Sequence, residues 1–298
     1  MTSDNPNLDV ALGVTIPSRS ARGRAVRLGP ALDSILSRHS YPAVIEKILA
    51  EALALTALLG SLLKDPGGQL TIQAQTQEGI VDLMVCDYLG GELRGYVRHD
   101  TERLADAAHD PSLATLFGHG YLAITFDQPA TKERYQGIVP LEGASLAEAA
   151  QSYFSQSEQI PSIVRLAADK GDDGRWTAGG VLFQHLPEGE EGRERLHTRM
   201  DHPEWDHVAV LAGSVRADEL TNPLLSLETL IWRLFHEEPE VRTLEPVGLL
   251  QGCRCNPDYV RSVIARFPEE ERADMAGDDG IIRVNCEFCS TSFPVHFD

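Results

Sequence analysis

Cys253-Arg254-Cys255 and, thirty residues further on, Cys286-Glu287-Phe288-Cys289 are the stretches whose reading decides how the end of this 298-residue chain folds. A C-x-C followed by a C-x-x-C offers four sulfurs in two tight pairs, the donor set of a closed, tetrahedral, all-thiolate structural zinc site. Zinc is borderline soft and takes thiolate sulfur readily. A chance cluster of buried cysteines is the alternative, and four of the five cysteines falling into two such pairs by accident is improbable. The spacing predicts one zinc per chain, held by Cys253, Cys255, Cys286 and Cys289. His296 is an alternative donor, but four sulfurs already complete a tetrahedron. Cys86 stands alone in a strand-like run and reads as a small buried hydrophobe.

The residues around the cysteines agree with a small metal-organised unit over 251–298. Asn256 can cap a helix that opens with Pro257 and runs through Val260, Val263, Ile264 and Phe267. Pro268 starts a second short helix that Gly277 can end. Ile281 to Asn285 reads as a strand and Ser290 to Phe297 as its partner, with the C-x-x-C in the turn between them. So few residues bury little core, so metal supplies most of the folding energy.

Upstream, 187–250 has a different texture. From Pro187 to Glu245 there are 14 Asp and Glu against 6 Arg and no Lys. Pro187 to Arg195 reads as a mobile acidic loop. Trp205, Val208, Leu211, Ala212 and Val215 mark one short amphipathic helix, and Leu227, Leu230, Ile231, Leu234 and Phe235 a second. Helices this short need a packing partner, so the segment is expected to be an acidic helical linker resting on its neighbours; an ordinary helical subdomain is the equal alternative.

Residues 1–186 read as an α+β core. Helical periodicity covers 31–63, ending at Asp65-Pro66-Gly67-Gly68. Three alternating runs follow, Gln69–Thr76, Ile80–Asp87 and Glu92–His99, the last two joined by Gly90-Gly91, and together they predict an antiparallel meander. Further strands are expected at Gly120–Asp127 and Arg134–Leu141, then a helix over Ser145–Gln156 capped by Ser145 with Glu148 three residues on. A hairpin follows, Ser162–Asp169 and Trp176–Gln184. Strands and helices are segregated, with no βαβ alternation. Glu46 and Glu51 on the long helical stretch read as solvated or paired surface charges.

Composition excludes several function classes. Asp and Glu number 45 against 26 Lys and Arg, a net charge of −19. Such a surface repels phosphate backbones and anionic lipid, so nucleic acid and membrane are poor partners. Ala43–Leu63 is the most apolar stretch, but Glu46, Lys47 and Glu51 within it predict a core helix, not a membrane span. Met1–Val10 is polar and acidic, without the features of a signal peptide, which predicts a cytoplasmic protein with reduced thiols. No nucleophile elbow, P-loop or dinucleotide fingerprint is present, so an enzyme is not expected.

The chain resembles the thirty-three-kilodalton heat-shock protein family, redox-regulated holdase chaperones of bacteria. The cysteine pairs at this separation carry the likeness, with Gly68-Gln69-Leu70-Thr71-Ile72-Gln73, Arg94-Gly95-Tyr96, Tyr135-Gln136-Gly137-Ile138-Val139, the run Tyr153–Pro161, Ala178-Gly179-Gly180 and the run Trp232–Glu238. It departs at Asn256-Pro257-Asp258 and Thr76-Gln77-Glu78-Gly79, neither of which touches a ligand position. The resemblance implies an ATP-independent holdase that is inactive when reduced and zinc-bound. Oxidation would pair Cys253 with Cys255 and Cys286 with Cys289, release zinc and unfold the linker. It further implies unfolding client proteins as partners, a homodimer on activation and transfer of clients to ATP-dependent foldases. An enzyme with a structural zinc ribbon and a zinc module for nucleic acid are the competing readings.

Overall fold

Thirteen of the eighteen residues of the helix Ala43–Gly60 are buried, and that fact organises the core. From Ala52 to Gly60 every residue is buried, and a helix buried all round must be enclosed; this one lies between two sheets, touching strands of both. Its lone buried hydroxyl, Thr56, donates to the Ala52 carbonyl at 2.7 Å. The computed structural model describes residues 5–65, 67–108, 111–186 and 203–296; the acidic run from Pro187 to Arg195 lies outside them.

In chain order the strands among the described residues are β1 (Val10–Ile16), β2 (Ala21–Leu28), β3 (Gln69–Gln77), β4 (Val81–Leu89), β5 (Glu92–His99), β6 (His119–Gln128), β7 (Glu133–Pro140), β8 (Ser162–Lys170), β9 (Trp176–His185), β10 (Arg242–Thr243), β11 (Val247–Gly248), β12 (Leu250–Gln251), β13 (Ile282–Asn285) and β14 (Ser292–Val295). The first sheet runs β10-β1-β2-β9-β8, with β11 also on β1; the second runs β12-β5-β4-β3-β6-β7; β13 and β14 form a separate hairpin. The expected meander is β3-β4-β5. Its tight turn has Gly90 and Gly91 at φ 57° and 93°, values that glycine reaches without steric cost.

Three features differ from the sequence reading; one is that the segment expected to be a helical linker also supplies the short strands β10 and β11, with β12 at its end. The helical stretch expected over 31–63 is two helices, Pro30–Leu36 and Ala43–Gly60. Pro42 separates them, since its ring disfavours helical backbone in the preceding residue. Tyr41 between them accepts a hydrogen bond at its hydroxyl from the Val97 amide at 2.9 Å, which pins the break to β5. The hairpin β1-β2 was not anticipated, and it supplies the centre of the first sheet.

The helix Leu146–Tyr153 starts as expected: Ser145 Oγ accepts from the Glu148 amide, and Glu148 returns a carboxylate oxygen to the Ala144 amide at 2.8 Å. Its last residue explains two of the shared motifs. Tyr153 is fully buried, donates to Glu158 at 2.8 Å, and lies where a side chain at Gly137 would meet its ring at 2.3 Å.

The helices Pro203–Gly213 and Leu227–Phe235 lie on the outer face of the first sheet. Trp205, Val208, Leu230, Ile231 and Phe235 form one apolar cluster with Leu12, Val14, Ile16, Val181 and Phe183. The Phe183 and Phe235 rings are 5.0 Å apart. Polar pins accompany this packing. Buried Arg27 donates to the carbonyls of Glu219, Leu220 and Leu225, and Glu238 accepts from Ser18 and Arg19 at 2.9 Å. Past these helices the chain pairs with β1 through β10 and β11, then crosses to the second sheet as β12, parallel to β5.

Candidate metal centre

The crossing delivers the first cysteine pair. Gly252 donates its amide to Leu93 of β5 at 2.9 Å, and Cys253 follows directly. Asn256 ends the pair by capping the helix Pro257–Ile264; its Oδ1 accepts from the amides of Asp258 and Tyr259 at 2.8 and 3.2 Å. The second pair sits in the turn of the β13-β14 hairpin. The Cys286 amide donates to the Thr291 carbonyl at 2.9 Å and the Ser290 amide to the Cys286 carbonyl at 2.8 Å, closing a knuckle with Ser290 in the left-handed region.

The knuckle meets the C-x-C so that all four sulfurs lie within 4.8 Å of one another. Cys253 and Cys286 Sγ are 3.6 Å apart, and Cys255 and Cys289 Sγ 3.7 Å. A tetrahedron with metal–sulfur bonds of about 2.3 Å has edges of roughly 3.8 Å. The donor set and its spacing therefore fit a metal ion. His296 and Cys86 are not in the cluster. Cys86 is fully buried in β4, where burial pushes its thiol pKa up. Replacing Cys86 with serine is accordingly expected to leave metal content unchanged, checked by metal analysis of the reduced protein; a loss of metal would place Cys86 in the site.

Without a cation the cluster resists full ionisation. Burial and the neighbouring thiols of Cys253 and Cys289 push Cys255 up to about 12, and burial raises Cys286. Cys289 goes down, to about 7, where burial is outweighed by contacts with Thr291, Cys253 and Cys286; the Thr291 hydroxyl is 3.2 Å from its sulfur. A bound cation must displace protons from these thiols, so affinity rises with pH and is lost as pH falls. The expected result is one metal per chain at pH 7.5, progressive transfer to a chromophoric chelator below about pH 6, and proton release on metal uptake in weak buffer. Uptake without proton release would reject thiolate ligation.

Both cysteine segments touch the core. Arg254, between the first two cysteines, donates to Gln69 Oε1 at 3.0 Å and to Asp87 Oδ2 at 3.2 Å. Phe288, between the second two, lies under the Arg94 guanidinium at 3.9 Å and meets the edge of Tyr96 at 4.9 Å between centroids. His39 Nε2 lies 3.3 Å from the Phe288 carbonyl. The spacing of the cysteines announces none of these partners; Gln69, Arg94 and Tyr96 lie in stretches that carry the family resemblance, while Asp87 and His39 do not. Glu46 proves paired: it accepts from Lys170 and from the Trp176 indole, both at 2.9 Å.

A family model described as Hsp33 protein matches residues 9–296. A 33 kDa chaperonin of Caulobacter vibrioides is 43% identical over 289 residues, covering 95% of this chain and 93% of that one. A 33 kDa chaperonin of Shigella flexneri is 35% identical over 276 residues, 92% and 88% of the two chains. The crystal structure of the 33 kDa chaperonin (heat shock protein 33 homolog) of Thermotoga maritima shares the fold, with a TM-score of 0.78 at 21% identity over 96% of this chain and 94% of that one. A mixed α and β fold, a cluster of four cysteines that can hold a metal ion, and near full-length matches to these chaperones lead to one conclusion: the chain belongs to the Hsp33 protein family.

Proposed function

We propose that this member of a chaperone family is a redox-regulated, ATP-independent holdase, with a core over 1–186, a linker over 187–250 and a redox-switch unit over 251–298. The observation that carries the reading is the four-sulfur cluster in a unit with almost no core of its own. Among its described residues only Ile282, Cys289 and Val295 are buried, and its two helices bury nothing. A unit so thin depends on its metal for folding. Zinc suits four thiolates best, and structural zinc contributes roughly 10–16 kcal/mol in small finger peptides.

Bound zinc holds the sulfurs as thiolates, the nucleophilic form. Peroxide or hypochlorous acid is the oxidant. With peroxide, one thiolate takes up an oxygen as a sulfenic acid and hydroxide leaves; a second thiolate then attacks the sulfenic sulfur, the S–S bond forms as the S–O bond breaks, and the oxygen departs as hydroxide, which solvent protonates to water. Two electrons pass to the oxidant for each disulfide. Cys253 with Cys255, and Cys286 with Cys289, is the pairing proposed here from the family resemblance. Near neighbours in sequence stay together once the fold loosens, because a short loop costs little to close; the 3.6 Å approach of Cys253 to Cys286 depends on the fold. With its ligands gone the unit unfolds, and the linker, whose helices rest on the first sheet through one apolar face, loses the β12 tether that follows them. Sheet and helix surfaces so uncovered hold unfolding clients, and the net charge of −19 keeps the complex in solution. A cytoplasmic location, a homodimer on activation and transfer of clients to ATP-dependent foldases complete the proposal.

The test compares two forms of the chain, reduced with zinc and then oxidised, for suppression of aggregation of a heated client without ATP. Gain on oxidation with zinc release supports the reading. No gain rejects it.

A further inference from the structure

We propose that Asp87 is the contact through which the core holds both halves of the cysteine cluster, so that it sets how readily the unit lets go. The inference rests on the switch described above but concerns the core side of the interface. Asp87 lies in β4 with its carboxylate almost wholly buried. Thr71 donates to one oxygen at 2.7 Å; the other accepts from Arg94 Nε at 2.8 Å and from Arg254 Nη2 at 3.2 Å. Arg254 comes from the C-x-C. Arg94, fixed by the same carboxylate, presents its guanidinium face to Phe288 of the C-x-x-C.

One buried carboxylate therefore anchors both pairs, the first directly and the second through Arg94. The arrangement is stable only while complete. A buried carboxylate needs its cations and hydrogen bonds, and losing one partner costs more than an exposed ion pair would. The planar guanidinium of Arg254 reaches Gln69 and Asp87 together, a fork that a lysine ammonium cannot reproduce. The side-chain hydrogen bonds of Arg254 go to Gln69 and Asp87, so it acts as a positioning residue: it seats a metal unit that the cysteines themselves assemble.

Five reduced, zinc-loaded proteins test this: wild type, Arg254→Ala, Arg254→Lys, Asp87→Asn, and the Ala and Asn changes combined. Each is challenged with peroxide at fixed temperature while a chromophoric chelator reports zinc release. Arg254→Ala is expected to carry one zinc per chain and release it roughly tenfold faster, the loss of one charge-assisted contact. Arg254→Lys should fall between it and wild type. Arg254→Ala should change the rate less in the Asp87→Asn background than in wild type, because there only the Gln69 contact is left to lose. Hydrogen exchange in reduced Arg254→Ala should rise over 250–256 and 286–291, a measurement that stands alone if Asp87→Asn does not fold. Wild-type release and exchange in Arg254→Ala, or additive effects of the two changes, would overturn the proposal. A wild-type protein that gains no holdase activity on oxidation, yet shows these rate differences, rejects the function and leaves the coupling standing.

Discussion

Reduced Cys286→Ser protein is expected to lose most of its zinc and the fold of 251–298 with it, while 1–186 keeps its structure. Three sulfurs and a hydroxyl make a poorer site than four thiolates, and the unit has little else. Its described buried residues are three, against the dozens that enclose the helix Ala43–Gly60. Apolar burial of that size cannot offset the entropy of ordering nearly fifty residues, at about 1–2 kcal/mol each for the backbone alone. Loss of the metal should therefore act as a near all-or-none change in the unit. Metal analysis and hydrogen exchange of the reduced variant check it. The expected pattern is a small fraction of the wild-type zinc, complete exchange over 251–296 within the first time points, and wild-type protection in β3, β4 and β9. Wild-type zinc content would remove Cys286 from the ligand set. Lost zinc with retained protection would show that the unit folds without metal, and the switch proposed here would lose its driving force.

The second large effect is expected in the linker. Ile231 is 1% exposed and packs with Leu230 and Phe235 into the cluster that covers β1, β2 and β9; Leu234, expected to share that face, is only partly buried. Cutting a buried isoleucine to alanine costs about 2–5 kcal/mol, which a nine-residue helix cannot absorb locally. Ile231→Ala should bind zinc normally when reduced, yet suppress client aggregation partly or wholly without oxidant. Gly179→Ala reaches the same end by different physics. A methyl group there would sit 2.3 Å from the Leu220 carbonyl oxygen, a backbone atom of the linker that cannot turn aside. Both variants should also be cut sooner than wild type by trypsin at Arg216. Reduced variants as inactive and as protease-resistant as wild type would make 203–235 an ordinary folded part of the core and leave the gate in the cysteine unit alone.

The zinc-type donor set was legible because it depends on residue type and short spacing: one residue between Cys253 and Cys255, two between Cys286 and Cys289. The caps at Ser145 and Asn256 and the turn at Gly90-Gly91 were legible for the same reason, since a cap or a turn is settled by atoms within three or four residues. Amphipathic stripes at 205–215 and 227–235 announced that a partner surface existed. They could not say which surface, because burial is non-directional. The tertiary structure chose the outer face of the first sheet, made largely by β1 and β2. The same holds for β10, β11 and β12. Two residues of extended chain carry no period, and they are strands only because β1 and β5 offer unpaired edges. Asp87 is the furthest case. Nothing in Val85-Cys86-Asp87-Tyr88 marks it; its role comes from Arg254, 167 positions away, which β12 carries across to β5. Local chemistry thus marked the four cysteines that can hold a metal ion, and long-range packing alone decided what that cluster is fastened to.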